Sequence, residues 1–436
     1  MESVVCLQIK MSIPDDKKIS IASITNAIED QGLENQATKL LLEELQRQEV
    51  YRLCGRKNLR KNQDKPCQRR GYTPRTVSTK FGKIKLKLAR VMDRATGRTF
   101  KPLKDRIDLK GKKVYQDDIS ILSVEFSTKM TYRDASKEVE RVVRESPSPS
   151  TINRRAREYG SAIIDFNREA TKGDIFNLVM ADGTKVHGIK GKKNEVNVIL
   201  GLEDNGNKRL LGATVNRSWY SSARDIKDWI DSKAVLISDA EKEIRYAILK
   251  KDMKFQLDVV HVPKEVGYKL WQDSVPKEER DGILGELKAM LYTLKNSVEK
   301  HAKDGDMERL KHRVNLTLKG LKELADRVGR MGCFRAAKFI RNSANYMVTY
   351  ALLLIKGIKV PWNSNVIERL MGEIAKRVKN KWMHWSTKGL EALINLILVR
   401  YTCEDTYEEF YRKVQGLEGL KFISMEMKVY AKSAVS

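Results

Sequence analysis

Three acidic residues sit where a carboxylate is either costly or well placed for chemistry. Asp182 closes the apolar run FNLVMA (176–181) and is followed at once by Gly183; Asp239 closes a second run, AVLIS (234–238); Glu368 lies in NVIERLMGE (365–373). A lone carboxylate in a low-dielectric interior is expensive unless paired or bound to a cation. Two of them held together need a cation between them. Oxygen donors without a cysteine or histidine cluster suit Mg²⁺ or Mn²⁺ rather than zinc. Two of these residues also have a plainer reading. Asp182-Gly183 is a strong signal for a tight turn joining two strands. Glu368 fits an early-helix acid opposed to the helix dipole, and Glu373 competes with it as a ligand.

The elements that must position these residues follow from periodicity. Strands are expected at FNLVMADG (176–183), EVNVILGLED (195–204) and KRLLGATVNRS (208–218), then a helix at SARDIKDWIDS (222–232) and a strand at AVLISDAE (234–241). A helix at KEIRYAILKK (242–251) and a fifth strand at FQLDVVHV (255–262) complete the run. Three strands, a helix, a strand, a helix and a strand is the order of the ribonuclease H-like fold, a mixed sheet flanked by helices, within an α+β chain. In that fold the first and fourth strands are neighbours, which brings Asp182 and Asp239 together. Residues 264–360 read as wholly helical, and two apolar helices follow at 365–381 and 386–401. On the first of these, Glu368 precedes Arg369, Lys376, Arg377 and Lys379; eleven residues is about three turns, so Glu368 and Lys379 share a face.

Charge points to the partner. The 436 residues carry 84 Lys and Arg against 57 Asp and Glu, a formal charge of +27. Nucleic acid fits better than a membrane, since no long apolar span is evident. Between residues 51 and 113 there are 22 Lys and Arg, four Asp and no Glu. Within that stretch Arg75–Thr79, a turn at Gly82 and the alternating segment 83–88 read as a hairpin with Lys83, Lys85 and Lys87 on one face. That face is either a ribbon laid along phosphates or a solvated edge that discourages aggregation. Three helices follow, with Thr131 and Ser150 as N-caps of the second and third. They fit a helix-turn-helix whose last helix offers Asn153, Arg154, Arg155 and Arg157 to a groove.

The remaining features are weaker. Ala37, Leu40, Leu41 and Leu45 form one face of an N-terminal packing or association helix. The five cysteines are scattered, with no Cys-x-x-Cys pair; Cys54 and Cys67 in the basic stretch leave a minor zinc reading against plain reduced thiols. The N-terminus lacks the pattern of a secretory signal, so a cytoplasmic location is expected. Trp382 and Trp385 either pack the last helices or stack on flipped or frayed bases.

Asp182, Asp239 and Glu368, with a helical insertion between the second and third, resemble the DDE transposases of bacterial and archaeal insertion sequences, particularly the Mutator-related group. Residues 69–103 resemble that group's basic ribbon. Asp258-x-x-His261 resembles its Cys-or-Asp, two residues, His element, and Asn365 to Arg369 resembles the sequence around its glutamate. The likeness covers roughly residues 50–400. One departure is that Ser364 and Ala375 stand where some related families have an Arg and a Lys, which leaves the phosphate-binding lysine open. His261 also fits a satisfied structural histidine.

The resemblance implies a transposase that cleaves the ends of its element and joins the freed 3′-OH to target DNA, with two Mg²⁺ or Mn²⁺ ions held by Asp182, Asp239 and Glu368. It implies double-stranded DNA as partner, a homodimer or higher oligomer in a synaptic complex, and a nucleoid-associated prokaryotic protein. The organisation expected is an N-terminal helical segment (1–50), a basic β-ribbon (51–114), a helix-turn-helix-like domain (115–172), the first part of a catalytic core (173–263), an all-α insertion (264–360) and C-terminal helices with the third carboxylate (361–436). Two other readings stay open: a nuclease or resolvase that hydrolyses without joining, and a non-catalytic DNA-binding derivative.

Overall fold

A computed structural model of the chain describes residues 32–56, 65–107, 109, 114–143, 145–203, 206–379 and 382–416. The expected N-terminal segment is therefore met only from residue 32; Cys6, residues 57–64, 108 and 110–113 of the basic stretch, and 417–436 lie outside the described residues. The chain divides into two units, one from Met1–Arg155 with Tyr411–Ser436 and the other Ala156–Phe410.

In the first unit, helix α1 (Leu33–Cys54) packs on an antiparallel ribbon of β1 (Cys67–Thr79) and β2 (Gly82–Asp93), to which the short β3 (Thr99–Phe100) adds an edge. The alternation of β2 sorts its side chains as expected for a half-buried strand. Ile84, Leu86 and Leu88 are buried with Val77 beneath Leu42 and Leu45 of α1. Lys83, Lys85 and Lys87 point to solvent. The Gln46 amide fastens the helix to the ribbon, donating to Lys87 O at 2.9 Å and accepting from Ala89 N at 2.8 Å. Two expectations are corrected. The helix face that packs uses Leu42, Leu45, Val50 and Leu53, whereas Leu40 is exposed, because the ribbon selects which apolar stripe is covered. The hairpin turn is Lys80-Phe81, since Thr79 pairs with Gly82; Gly82 opens β2 at φ +102°, a backbone that suits glycine.

Helices α2 (Leu103–Arg106), α3 (Asp117–Ser127), α4 (Tyr132–Val143) and α5 (Pro149–Ala170) follow. Thr131 caps α4, its Oγ1 accepting from Asp134 N at 3.1 Å. The cap of α5 is Ser148, not Ser150: Thr151 N donates to Ser148 Oγ at 3.3 Å, and Pro149 fits the first turn because it has no N–H to leave unpaired.

The second unit is built on a five-stranded sheet. Its strands are β4 (Phe176–His187), β5 (Lys193–Leu202), β6 (Lys208–Val215), β7 (Ile230–Ser238) and β8 (Lys254–Leu257), in the order β6-β5-β4-β7-β8. The first three are antiparallel neighbours, while β4, β7 and β8 run parallel. Parallel strands are covered on both faces, so the uninterrupted apolar run AVLI of β7 is what such a position requires. The mixed α+β character expected from periodicity is thus present. The helix expected at 222–232 is shorter, α6 (Trp219–Ile226), because Ile230 already pairs with Phe176 and opens β7. Helix α7 (Lys242–Ile248) links β7 to β8.

Beyond β8 come α8 (Val262–Gln272), α9 (Lys277–Asp304), α10 (Met307–Arg330), α11 (Phe334–Met347) and α12 (Thr349–Ile355). One continuous apolar cluster joins Val179, Ile199 and Leu236 of the sheet to Leu287, Leu321 and Ile340 of these helices. The polar centre of that junction is satisfied: buried Gln256 accepts from Tyr350 N at 2.7 Å. Helices α13 (Asn365–Val378), α14 (Thr387–Thr402) and α15 (Glu404–Gln415) end the described chain, with α13 against β4 and α14 against β6.

Helix α5 meets α14 at Gly160, where an added Cβ would overlap the carbonyl of Ala392, and Asn395 Nδ2 donates to Gly160 O at 3.3 Å. Gly160→Ala is therefore expected to destabilise the fold by about 1–3 kcal/mol through overpacking. An exposed helical glycine would instead gain up to about 1 kcal/mol from the same change. Urea midpoints of the two proteins separate these outcomes.

Candidate active site

The site forms where the pairing of β4 with β7 stops: β7 ends at Ser238, while β4 continues along β5. The parallel register of β4 and β7 pairs Met180 with Ile237, so Asp182 and Asp239 each follow two residues beyond a matched pair. Asp182-Gly183 is not the turn that the dipeptide suggests. Strand β4 runs through it to His187, pairing Asp182 with Val198 and Gly183 with Asn197. Gly183 is small because the Trp219 ring lies against it, 3.3 Å from where a Cβ would stand, and its N–H donates to Asp182 Oδ1 at 2.7 Å. Asp239 lies just past the end of β7 and accepts from Glu241 N at 3.0 Å.

The expected fifth strand stops at Leu257, and Asp258 to His261 form the turn into α8. Asp258 has no solvent exposure. Its Oδ1 accepts from Val260 N at 2.8 Å; its Oδ2 accepts from Ser364 N at 2.9 Å and from the Ser364 hydroxyl. Its own N–H donates to Ser238 O at 2.9 Å, one residue before Asp239. Asp258 therefore ties the end of β7 to the first turn of α13, which carries Glu368. In the sequence Ser364 stands out only as a departure from a family pattern. Its position just before an apolar-periodic helix was the available signal.

His261 Nε2 and Glu368 Oε1 are 2.6 Å apart. Among the described residues, Asp258, His261 and Glu368 bring potential ligand atoms within 4.8 Å of one another. Asp182 and Asp239 adjoin this group electrostatically. Burial pushes the Asp182 carboxyl up to about 6, and the Asp239 and Glu368 charges push the same way, while the Gly183 N–H and His261 oppose them. Asp239 is raised as well, chiefly by burial. Glu373 faces elsewhere: Lys376 Nζ lies 2.5 Å away and holds its carboxyl below the usual range.

Residues 13–410 match the family described as Transposase, Mutator family. The chain belongs to this family of transposases. It is also 31% identical over 115 residues to an uncharacterized protein of Archaeoglobus fulgidus, which covers 26% of this chain and 97% of that relative. Membership makes the chain a DNA-processing enzyme with DNA as its partner. Among the described residues, no helix is long and apolar enough to cross a membrane.

The other expected contacts of this Mutator-family transposase are distributed unevenly. Lys379 reaches back over β4, donating to Thr184 Oγ1 at 2.5 Å, two residues beyond Asp182. Arg369 and Asn365 are exposed on the first turn of α13. Lys376 is exposed but occupied by Glu373, and Lys83 is ion-paired with Glu145. Arg154 and Arg157 face solvent, but Arg155, at 5% exposure, does not, because successive helical residues point about 100° apart. The two tryptophans also part company. Trp385 is buried, donating Nε1–H to Val378 O at 3.0 Å with Arg377 over its ring, whereas Trp382 is 81% exposed. Cys54 and Cys67 are buried thiols in one apolar cluster, both pushed up by burial.

Two predictions follow from this electrostatic arrangement and from the Asp258 bonds. The protonated form of Asp182 suits the metal-free fold, so its contribution is fully present below 3.8 and is lost as pH rises through about 6. In chelator-treated protein, Asp182→Asn is thus expected to be more stable than the parent at pH 8, with the difference vanishing near pH 4 in urea titrations. Asp258→Ala leaves the Ser364 N–H and hydroxyl without their acceptor, and is expected to lower stability by about 1.5–3 kcal/mol on the same measurement.

Proposed function

We propose that this transposase uses a DDE-type, metal-dependent polynucleotidyl transfer reaction, with Asp182, Asp239 and Glu368 as the catalytic carboxylates. The observation that carries this reading is that Asp182 and Asp239 each stand two residues beyond Met180 and Ile237, a matched pair of adjacent parallel strands. Burial and mutual repulsion make their joint ionisation unfavourable without a cation. An all-oxygen donor set fits Mg²⁺ or Mn²⁺. We read the sheet, three antiparallel strands followed by two parallel ones, as a ribonuclease H-like core, and α3 to α5 as a helix-turn-helix-like element.

Bound divalent ions, two in this reading, supply Lewis-acid activation of the attacking oxygen and stabilise the leaving 3′ oxygen. The chain's own residues prepare for that. Asp182 and Asp239 are held at fixed spacing by the sheet register. Glu368 would be held for this role by His261, whose Nε2 lies 2.6 Å from its Oε1. Asp258 is the anchor of α13 rather than a ligand, since both its oxygens are already accepting protein hydrogen bonds. Lys379, beside Thr184 of β4, is the lysine best placed to meet a phosphate of the scissile strand. Lys85 and Lys87 extend the phosphate contact on the ribbon, with Arg154 and Arg157 on α5 as further contacts. Assembly as a dimer or higher oligomer on paired element ends is part of the same proposal.

In an assay with a labelled pre-cleaved end, Mg²⁺ and a plasmid target, the parent is expected to give covalently joined product. Hydrolysis without joining would identify a nuclease instead. Asp182→Asn, Asp239→Asn and Glu368→Gln are each expected to lower cleavage and joining by roughly 10²-fold or more, with DNA affinity retained. Normal activity in these variants would sink the assignment. Replacing Lys83, Lys85 and Lys87 together by Gln is expected to weaken DNA binding and to flatten the slope of log affinity against log salt by about 2–3, read by fluorescence anisotropy.

A further inference from the structure

Helix α8 begins at the site and leads away from it. His261, Lys264, Tyr268 and Trp271 recur at intervals of three, four and three residues, which keeps them within about a quarter of the helix circumference. The opposite side, Val262, Val266 and Leu270, is in the core. The helix is firmly mounted. Lys269 donates to Glu265 at 2.9 Å and lies 4.8 Å from the centre of the Phe339 ring, and Asp273 accepts from Arg335 N at 3.1 Å. On its open side Lys264 is exposed, and Tyr268 and Trp271 stack on each other with centroids 5.7 Å apart and planes 25° from parallel. These rings are nonetheless 54% and 59% exposed.

We infer that the Lys264, Tyr268 and Trp271 face is a stacking platform for unpaired bases of a DNA strand that passes through the site. The inference rests on the catalytic reading of Asp182, Asp239 and Glu368. Three observations favour this occupant. The stripe is continuous with the site through His261, which touches Glu368. It combines flat rings with a cation, the pairing that serves bases joined by phosphates. Its length also suits a short run of nucleotides: ten residues at 1.5 Å rise span about 15 Å, or about four bases at roughly 3.4 Å each. Base stacking is sequence-tolerant, so this surface would hold a strand after cleavage or fraying without reading it.

The test compares full-length parent, Trp271→Ala, Trp271→Phe and Tyr268→Ala for binding to oligo(dT) and to a blunt mixed-sequence duplex, without divalent ions. Trp271→Ala is expected to weaken oligo(dT) binding by about 5- to 150-fold and leave duplex affinity unchanged, with Trp271→Phe retaining most of the affinity. Tyr268→Ala is expected to weaken oligo(dT) in the same way, and it carries the test by itself if Trp271→Ala does not fold. Unchanged oligo(dT) affinity, an equal loss on duplex, or a change only in oligomeric state would each overturn the platform. Asp182→Asn runs alongside: its loss of cleavage with oligo(dT) binding intact supports the site whatever Trp271 does. Normal cleavage by Asp182→Asn would instead remove the catalytic reading independently of the stacking result.

Discussion

The parallel pairing of β4 with β7 is the constraint on which the second unit turns. It fixes Met180 against Ile237, and thereby sets Asp182 and Asp239 each two residues beyond that pair. Both carboxyls resist ionisation, chiefly because they are buried, and for Asp182 the neighbouring Asp239 charge adds to that cost. The surrounding structure offers only partial relief, through the Gly183 and Glu241 amides and His261. In the proposed reaction, a cation would offset this cost.

A second constraint acts over a much longer stretch of chain. Glu368 lies more than a hundred residues beyond Asp239, and the helices in between share one apolar core with the sheet. That core brings the chain back, and Asp258 fixes where it arrives by accepting from the first-turn backbone and hydroxyl of Ser364. A buried carboxyl with both oxygens engaged is costly to disturb. Glu368 is thus referenced to the same strand end as Asp239, and Lys379 at the far end of α13 returns to β4. In the proposed reaction this is what lets three carboxylates and a phosphate-binding lysine act on one scissile bond.

In the first unit the same economy of faces operates. One side of the ribbon is apolar and covered by α1; the other carries lysines. Nothing in that division depends on DNA, since it follows from the period of two along β2. Lys83, by pairing with Glu145, also serves the unit's own cohesion.

The amino-acid sequence determined the elements whose signal is local. Alternation located β2, continuous apolar runs located β4 and β7, and Asp182 and Asp239 could be singled out by following such runs, Glu368 by lying in the first turn of a helix. Local signals also misled. Asp-Gly resembles a turn in any chain, and only pairing with Val198 and Asn197 on β5 keeps β4 extended through it. The exposed fate of Leu40 and Trp382, and the buried fate of Arg155 and Trp385, depended on which surface another element covers. The role of Asp258 was invisible for the same reason: its partner Ser364 is 106 residues away. Tertiary structure alone decided these points, because hydrogen bonding and burial between distant segments are set by how the sheet and helices share a core, and no local period encodes that.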